Sequence, residues 1–466
     1  MCRWIVYVGE QPLMLEDLLI KPKHSIVKQV SERFIPGLYF GLEEEDEEEL
    51  KKQANWINVH GFGVSWYTDT LTEFDPSIKG MLPAQFRTIA PISTDLAFEQ
   101  LCKHTASKCT LAHIRDASFP PVVEVNNHPF IFGKYSFMHN GSVDSFSKIR
   151  YDVIKRIFDL QTIVQTNQYK SSAQDSNYVF GIAGNTDTEH LAALYFAHLD
   201  IIQAMEPSFG ADSTYALLLA LIQTITDIHE IQSQHQVGPF TPGPGAERVG
   251  NTLNLCISMY FCYLLIRTEH DNFCAYRIAD GGVKMLVSRW RDSKEGHPRS
   301  LYLSLTAGEK LNRKYTDSQV RDVSIEDVNN AEVKNVNDAE VKNVNDAEVE
   351  IDSVKELVAR YKPTQQGCHI IVGSEPSTCD VQDWGLFDQN QCVTVDDDRN
   401  LRMIDLAKFF QPGREHEFEA YHFTEVIDKI NNLNPSTPYS AAPAYVIDLP
   451  ESIVFEKAFN LNAPAK

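Results

Sequence analysis

Met1-Cys2-Arg3-Trp4-Ile5-Val6-Tyr7-Val8-Gly9 begins the chain, and Arg3 to Val8 is a nearly unbroken apolar run closed by a glycine. Such a run predicts a buried strand. Chain ends normally fray unless something ties them down, so a buried strand here calls for a sheet that encloses it. The residue at its head is a cysteine. Aminopeptidases of the cytosol remove Met1 when the next residue is small, and cysteine qualifies. Processing leaves one residue carrying both a thiol and a free α-amino group. An α-amine of pKa ≈ 7.7–8.0 is a usable general base near neutral pH, and the thiolate is a strong nucleophile. Nucleophile and base on one residue are the parts needed for acyl transfer. Taken alone, Cys2 is more simply an accident of the start.

Outward from that strand, Glu16–Val30 reads as weakly helical, Gly61–Tyr67 as a strand with glycines where backbone comes close, and Thr94–Ser107 as a helix. Thr110–Arg115 and Ile131–His139 read as strands, with Asn140-Gly141 as a turn signal after the second. Asp187–Ile202 and Thr214–Ile231 have helical periodicity, and Gln236–Gly250 is a Pro/Gly-rich loop. Leu253–Arg267, Phe273–Asp280 and Val283–Arg289 read as successive strands, with Gly281-Gly282 turning between the last two. Apolar runs resume at His369–Gly373 and Cys392–Val395. Strands, then helices, then strands again predict sheets packed on each other with helices outside.

The chain has 466 residues, 43% hydrophobic and 23% charged, which fits a globular protein and argues against global disorder. Its net charge is −22, but more than half of that comes from two segments. Glu43–Glu49 reads EEEDEEE, and Asp327–Glu350 is three copies of an octapeptide with seven acids and two lysines. The first predicts a flexible surface insertion over 41–53. The second is too short in period and too polar to build a solenoid core, and predicts a mobile loop over 327–350. With no basic stripe, nucleic acids and anionic membrane surfaces are not expected partners. The apolar stretches are too short or too interrupted to span a bilayer. The start, MCRWIVYVGE, lacks a long apolar h-region, so no signal peptide is expected. Nine cysteines at irregular spacing, without a CxxC pair, give no zinc or redox motif and fit a reduced cytoplasmic protein. His60, His113, His128 and His139 form no HExxH or other ligand spacing, so hydrogen-bonded histidines near strands are expected, and no metal or cofactor. No G-x-x-x-x-G-K-[ST] occurs, so no nucleotide-binding synthetase half is recognisable.

Further motifs follow Cys2 in order: Asn58-Val-His-Gly-Phe-Gly-Val-Ser-Trp-Tyr67, Leu111-Ala-His-Ile-Arg-Asp-Ala-Ser118, Asn127-His-Pro-Phe130, Phe137-Met-His-Asn-Gly141, Gly184-Asn-Thr-Asp-Thr-Glu189 and, late, Ile371-Val-Gly-Ser-Glu-Pro376. Together with MCRW, this series resembles the class II glutamine amidotransferase family, the N-terminal nucleophile type, over most of the chain apart from the acidic run and the repeat. One branch is especially similar. It includes the amidotransferase-like subunit of a fungal glutathione-degradation complex and a bacterial γ-glutamyl hydrolase of ergothioneine synthesis. Ser65 stands where many relatives have glycine. The resemblance implies an α+β fold, the four-layer αββα sandwich, as a single domain over 1–466.

It also implies roles. Cys2 is the nucleophile. Arg115 matches the family's carboxylate-binding arginine, whose planar fork suits a carboxylate; a surface arginine paired with Asp116 is the alternative. Asp187 matches the position that holds the substrate's ammonium; helix capping, with Thr186-x-x-Glu189 as a capping box, is the alternative. The Asn140 side chain and the Gly141 N–H match the oxyanion hole; an ordinary Asn-Gly hairpin turn is the alternative. Asn140-Gly-Ser142 is formally a glycosylation sequon. Glutathione and glutamine share the γ-glutamyl head group that Arg115 and Asp187 would grip. The branch implies hydrolysis of glutathione with a peptidase-like partner. The alternatives are a glutaminase subunit that passes ammonia to a separate synthetase, and an inactive, interaction-only relative.

Overall fold

The computed structural model describes residues 2–36, 60–75, 77–78, 80–117, 121–166, 178–205, 214–237, 251–260, 263–267, 275–279, 283–291, 300–315, 342–343, 351–362, 369–395, 400–407 and 454–460. The strands are β1 (Arg3–Met14), β2 (Glu32–Arg33), β3 (Phe62–Thr68), β4 (Leu82–Thr88), β5 (Ala106–Ile114), β6 (Phe130–Phe132), β7 (Tyr135–Ser142), β8 (Thr252–Tyr260), β9 (Tyr263–Arg267), β10 (Ala275–Ala279), β11 (Val283–Arg291), β12 (Tyr302–Ser304), β13 (Lys342–Asn343), β14 (His369–Gly373), β15 (Trp384–Leu386), β16 (Gln391–Val395), β17 (Asn400–Asp405) and β18 (Val454–Asn460). The helices are α1 (Leu15–Leu19), α2 (Thr70–Phe74), α3 (Leu96–His104), α4 (Phe146–Thr166), α5 (Tyr178–Gly181), α6 (Asp187–Met205), α7 (Thr214–Gln234), α8 (Ala307–Leu311) and α9 (Val354–Arg360).

Two seven-stranded sheets dominate, in the orders β15-β12-β14-β1-β5-β3-β4 and β18-β17-β16-β11-β8-β7-β6. β1 lies inside the first sheet, antiparallel to β14 on one side and β5 on the other. Alternate residues of a strand face opposite sides, and in β1 both sides are covered. Trp4, Val6 and Val8 join Leu111, Ile370 and Val372 and, from the second sheet, Met138, Cys256, Met285, Val287 and Val393 in one core between the sheets. Ile5 and Tyr7 face the other way, into a core with Leu15 and Leu18 of α1 and Phe98 of α3. That double burial is why the β1 sequence is a continuous apolar run and not an alternating one. The far face of the second sheet, with Tyr135, Phe137, Leu255 and Ile257, packs against Ile149, Val153 and Ile157 of α4, Leu191 and Leu194 of α6, and Leu217 and Leu221 of α7. Helices, sheet, sheet and helices thus stack as four layers, the expected αββα sandwich.

Several expectations change in detail. Asn140 and Gly141 do not form a turn. They lie inside β7, opposite Asn254 and Leu253 of β8, so cross-strand pairing overrides the local turn preference. The hairpin turn falls earlier, between β6 and β7, where Gly133 takes φ +56°. Glu16–Val30 holds only the short α1 and a 3₁₀ turn at Lys28–Val30. The run 253–267 is two strands, β8 and β9. The 21-residue α4 falls in a stretch for which the sequence analysis has no element. The acidic run 41–53 lies outside the described residues. Of the octapeptide repeat, only Lys342–Asn343 is described; it pairs in parallel with Glu32–Arg33. Among the described residues no helix is long and apolar enough to cross a membrane.

Candidate active site

β1 delivers Cys2 to the end of the inter-sheet core. By alternation it shares a face with Trp4, which packs into that core. Its thiol sits against the backbone that follows β5: the Asp116 N–H donates to Sγ at 3.2 Å, and Sγ lies 3.6 Å from the Asp116 carbonyl oxygen. Its carbonyl oxygen accepts from Asn140 Nδ2 at 2.8 Å and from Arg3 Nη1 at 3.0 Å. Asn140 comes from the second sheet, so this contact ties the two sheets together at the nucleophile. Gly141 follows it in β7. The strand geometry that overrides the turn is what aims the Asn140 side chain across the inter-sheet gap.

Arg115 is buried, at 4% exposure, which removes the surface-arginine alternative. Its backbone N–H donates to the Gly61 carbonyl at 2.8 Å and its Nη1 to the Pro121 carbonyl at 3.2 Å. Gly61 has φ +145°, and a Cβ there would stand 2.4 Å from Asn127 Oδ1, so only glycine fits the point that fixes Arg115. Burial pulls the Arg115 guanidinium below its usual range, while Cys2 and Asp187 act in the opposite direction. Cys2 and Asp187 are therefore each within electrostatic reach of Arg115. Asp116 does not pair with Arg115. Its Oδ1 lies 3.2 Å from His60 Nδ1, and the Ala117 N–H donates to the same ring nitrogen at 3.1 Å. Burial raises the Asp116 carboxyl, but the chain's amino terminus and His60 outweigh it and hold the group below the ordinary carboxylate range.

Asp187 is the first residue of α6. Oδ2 accepts the Val143 N–H at 2.8 Å and Oδ1 the Thr188 N–H at 2.8 Å, which locks the helix start to the end of β7. Thr186 supplies half of a capping box by accepting from Glu189 N at 3.2 Å; the Glu189 carboxylate reaches further back, to the N–H groups of Ala183 and Gly184. An acid at a helix start is favoured by the exposed N–H groups there, and a carboxylate retains lone pairs for a substrate ammonium.

The histidines form a supporting layer. His113 Nε2 lies 3.2 Å from the His139 carbonyl oxygen, and His139 Nδ1 lies 2.9 Å from Thr188 Oγ1, beside Asp187. His113 and His128 stack edge to face with centroids 4.1 Å apart. Burial pushes His113 down to about 3 and His190 to about 4, and puts His128 well below its ordinary value. These rings stay neutral in the folded protein at a pH where the unfolded chain takes up protons. Their contribution to stability is present above pH ~6.5 and is lost as the pH falls toward the folded values, by up to about 1.4 kcal/mol per unit for each histidine. Urea midpoints measured from pH 7 to 5 are expected to fall steadily; a flat profile over that window would contradict this account.

Sequence reasoning missed a second set around Cys2. Glu375, at 1% exposure, forms an ion pair with Arg3 Nε, and its other oxygen accepts the Phe34 N–H at 2.8 Å. Ser374 exchanges hydrogen bonds with Trp4, its N–H to the Trp4 carbonyl at 2.9 Å and its Oγ from the Trp4 N–H at 3.1 Å. The late Ser-Glu-Pro segment had been visible only as part of the resemblance.

No family model matches the chain. It is 27% identical over 234 residues to the probable glutamine amidotransferase DUG3 of Saccharomyces cerevisiae, covering 49% of this chain and 55% of that protein. It is 25% identical over 145 residues to the γ-glutamyl-hercynylcysteine sulfoxide hydrolase of Mycobacterium tuberculosis, covering 31% of this chain and 50% of that one. The chain thus spans about half the length of the curated relatives it matches. Among solved structures, a glutamine aminotransferase class-II domain protein from Silicibacter pomeroyi aligns over 87% of this chain and 98% of its own with a TM-score of 0.41 and 14% identity. With Cys2 at the head of an inner strand of an αββα sandwich and Asn140 on its carbonyl, the chain is similar in sequence, over about half its length, to a probable glutamine amidotransferase.

Proposed function

We propose that this chain is a γ-glutamyl hydrolase that acts through a thioester on Cys2. Removal of Met1 frees the α-amine of Cys2. That amine, through a water, takes the thiol proton, and the thiolate attacks the γ-carbonyl carbon. The negative oxygen so formed is held by Asn140 Nδ2 and the Gly141 N–H. The ammonium returns its proton to the leaving amine, the C–N bond breaks, and a γ-glutamyl thioester remains. Water then adds, with the amine again as base, and glutamate departs. Arg115 takes the substrate's α-carboxylate and Asp187 its α-ammonium. The observation that carries this reading is the hydrogen bond from Asn140 to the Cys2 carbonyl, because it sets the oxyanion donor and the nucleophile side by side from opposite sheets.

The names of the two relatives bracket the leaving group: one is a probable glutamine amidotransferase, the other hydrolyses a larger γ-glutamyl amide. We favour glutathione, with Cys-Gly leaving and a peptidase-like partner consuming it, in a single cytoplasmic domain over 1–466. An ammonia-donating glutaminase is the second reading, and the first relative's name supports it. Glutathione and glutamine supplied separately to the Met1-processed protein, with and without co-purifying proteins, decide between them. Equimolar glutamate and Cys-Gly from glutathione are expected. Ammonia from glutamine alone would replace the glutathione reading with the donor reading, and silence on both would overturn each.

A further inference from the structure

The Cys2 carbonyl accepts two donors, and one of them is a cation. Arg3 Nη1 reaches it at 3.0 Å, and Asn140 Nδ2 at 2.8 Å. Arg3 faces away from the inter-sheet core, as alternation from Cys2 and Trp4 requires, and its side chain is only 5% exposed. Its counter-ion, the Glu375 side chain, is 0% exposed. Glu375 cannot swing away freely, because its second oxygen holds the Phe34 N–H at 2.8 Å. The neighbouring Ser374 is bonded to both the N–H and the carbonyl of Trp4, and its own carbonyl accepts from Ser300 Oγ at 2.6 Å. Ser374 therefore grips the Trp4 backbone, Glu375 grips the Arg3 side chain, and Arg3 grips the residue that bears the nucleophile.

A buried ion pair is weak as a stability device, since desolvation offsets most of its Coulomb energy. What this one does hold is position and charge. The guanidinium stands on the carbonyl of the residue whose α-amine is the base in the proposed mechanism, with the carboxylate beyond it. A cation near an amine disfavours the ammonium form, and an anion favours it. The arginine is the member of the pair that bonds Cys2, so the pair as a whole is expected to keep the amine deprotonated and ready to accept the thiol proton.

We propose that Arg3 and Glu375 are positioning residues of γ-glutamyl cleavage, which fix the Cys2 backbone for attack and set the protonation of its α-amine. This rests on the function proposed above. Among the described residues, the other charged or titratable groups around Cys2 are Arg115 and Asp116 from the segment after β5, with His60 beside Asp116 and Asp187 within reach of Arg115. All four are unchanged by the variants below, so differences between variants report on the pair.

The test is the acid limb of kcat/KM against pH for glutamate release, in the full chain with Met1 removed. Arg3→Gln leaves the carboxylate alone and is expected to move the limb up by about half a unit or more, a threefold or larger loss on the limb. Glu375→Gln leaves the cation alone and is expected to move it down by a similar amount. Arg3→Lys keeps the charge and is expected to keep the wild-type limb while lowering kcat, because a lysine cannot reproduce the forked contact. A purely structural role would lower activity in all three without opposed shifts. Shifts in the same direction, or none, overturn the proposal. If a lone buried charge unfolds one of the single variants, the double variant Arg3→Met with Glu375→Met removes both charges; its limb is expected to move up, and an unmoved limb counts against the pair. The pH dependence of cyanate addition to the α-amine, read from the N-terminal peptide, reports the same shifts without turnover. Shifted amine reactivity in a chain that releases no glutamate would keep the pair's control of the Cys2 amine and sink the hydrolase reading, and with it the role in cleavage.

Discussion

Replacing Cys2 by alanine is expected to abolish glutamate release while leaving the fold in place. In the proposed mechanism the thiol forms the acyl-enzyme, and loss of a covalent nucleophile from a hydrolase site costs about six orders of magnitude in kcat. The stability cost is small. Cys2 is partly exposed, its Sγ bonds the Asp116 backbone, and its carbonyl contacts with Asn140 and Arg3 survive the change. An altered melting temperature of more than a few degrees would show that the side chain does more than react. Cys2→Ser is expected to retain at most a trace of activity, since a hydroxyl is a far poorer nucleophile than a thiolate at neutral pH. Turnover above one part in a hundred in the alanine variant would remove Cys2 from the chemistry.

Asn140→Ala is the second large effect. An oxyanion donor acts only when negative charge develops, so its loss is expected to lower kcat by about 10²- to 10³-fold, ~2.7–4 kcal/mol of barrier, with KM little changed. Asn140 is buried and also bonds the Cys2 carbonyl, so part of the loss will come from a looser nucleophile; Arg3 remains to hold that oxygen. Asn140→Asp keeps the shape, turns a donor into an acceptor and adds a negative charge beside the forming oxyanion. It is expected to be worse than alanine. The reverse pattern, with kcat kept and KM raised in the alanine variant, would place Asn140 on the substrate's ground state and not in the oxyanion hole.

Much of this arrangement was legible in the sequence wherever one segment carries its own signal. The run Trp4–Val8 announces a strand buried on both faces because both faces are in fact covered. α6 and α7 show their period because their apolar residues pack on one sheet. The misreading of Asn140-Gly141 has a specific cause: the pair is a strong local turn signal, but the β8 ladder supplies hydrogen bonds that a turn would forgo. α4 carried a readable stripe at Ile149, Val153, Ile157, Leu160 and Val164, diluted by the exposed Lys148 and Lys155 and by Arg150 and Arg156, which bond His190 and Asp227 on the neighbouring helices. The Arg3–Glu375 pair had no such trace. Its partners lie 372 residues apart, and nothing local in either segment specifies the other. The same holds for His60 and Asp116, which meet only because β3 and β5 pair. The five predicted residues Cys2, Arg115, Asn140, Gly141 and Asp187 took their roles from the resemblance; the contact that brings Asn140 of the second sheet to Cys2 of the first is a property of the fold.

The account depends on Cys2 being the first residue, with its amine free to serve as base. The most direct measurement compares glutamate release by two preparations of the full chain, one with Met1 removed and one with Met1 retained, each verified by N-terminal mass. Activity is expected to follow the fraction of molecules that begin at Cys2 and to vanish in the other preparation. Equal activity with Met1 in place, where the Cys2 nitrogen is locked in a peptide bond, would contradict the mechanism.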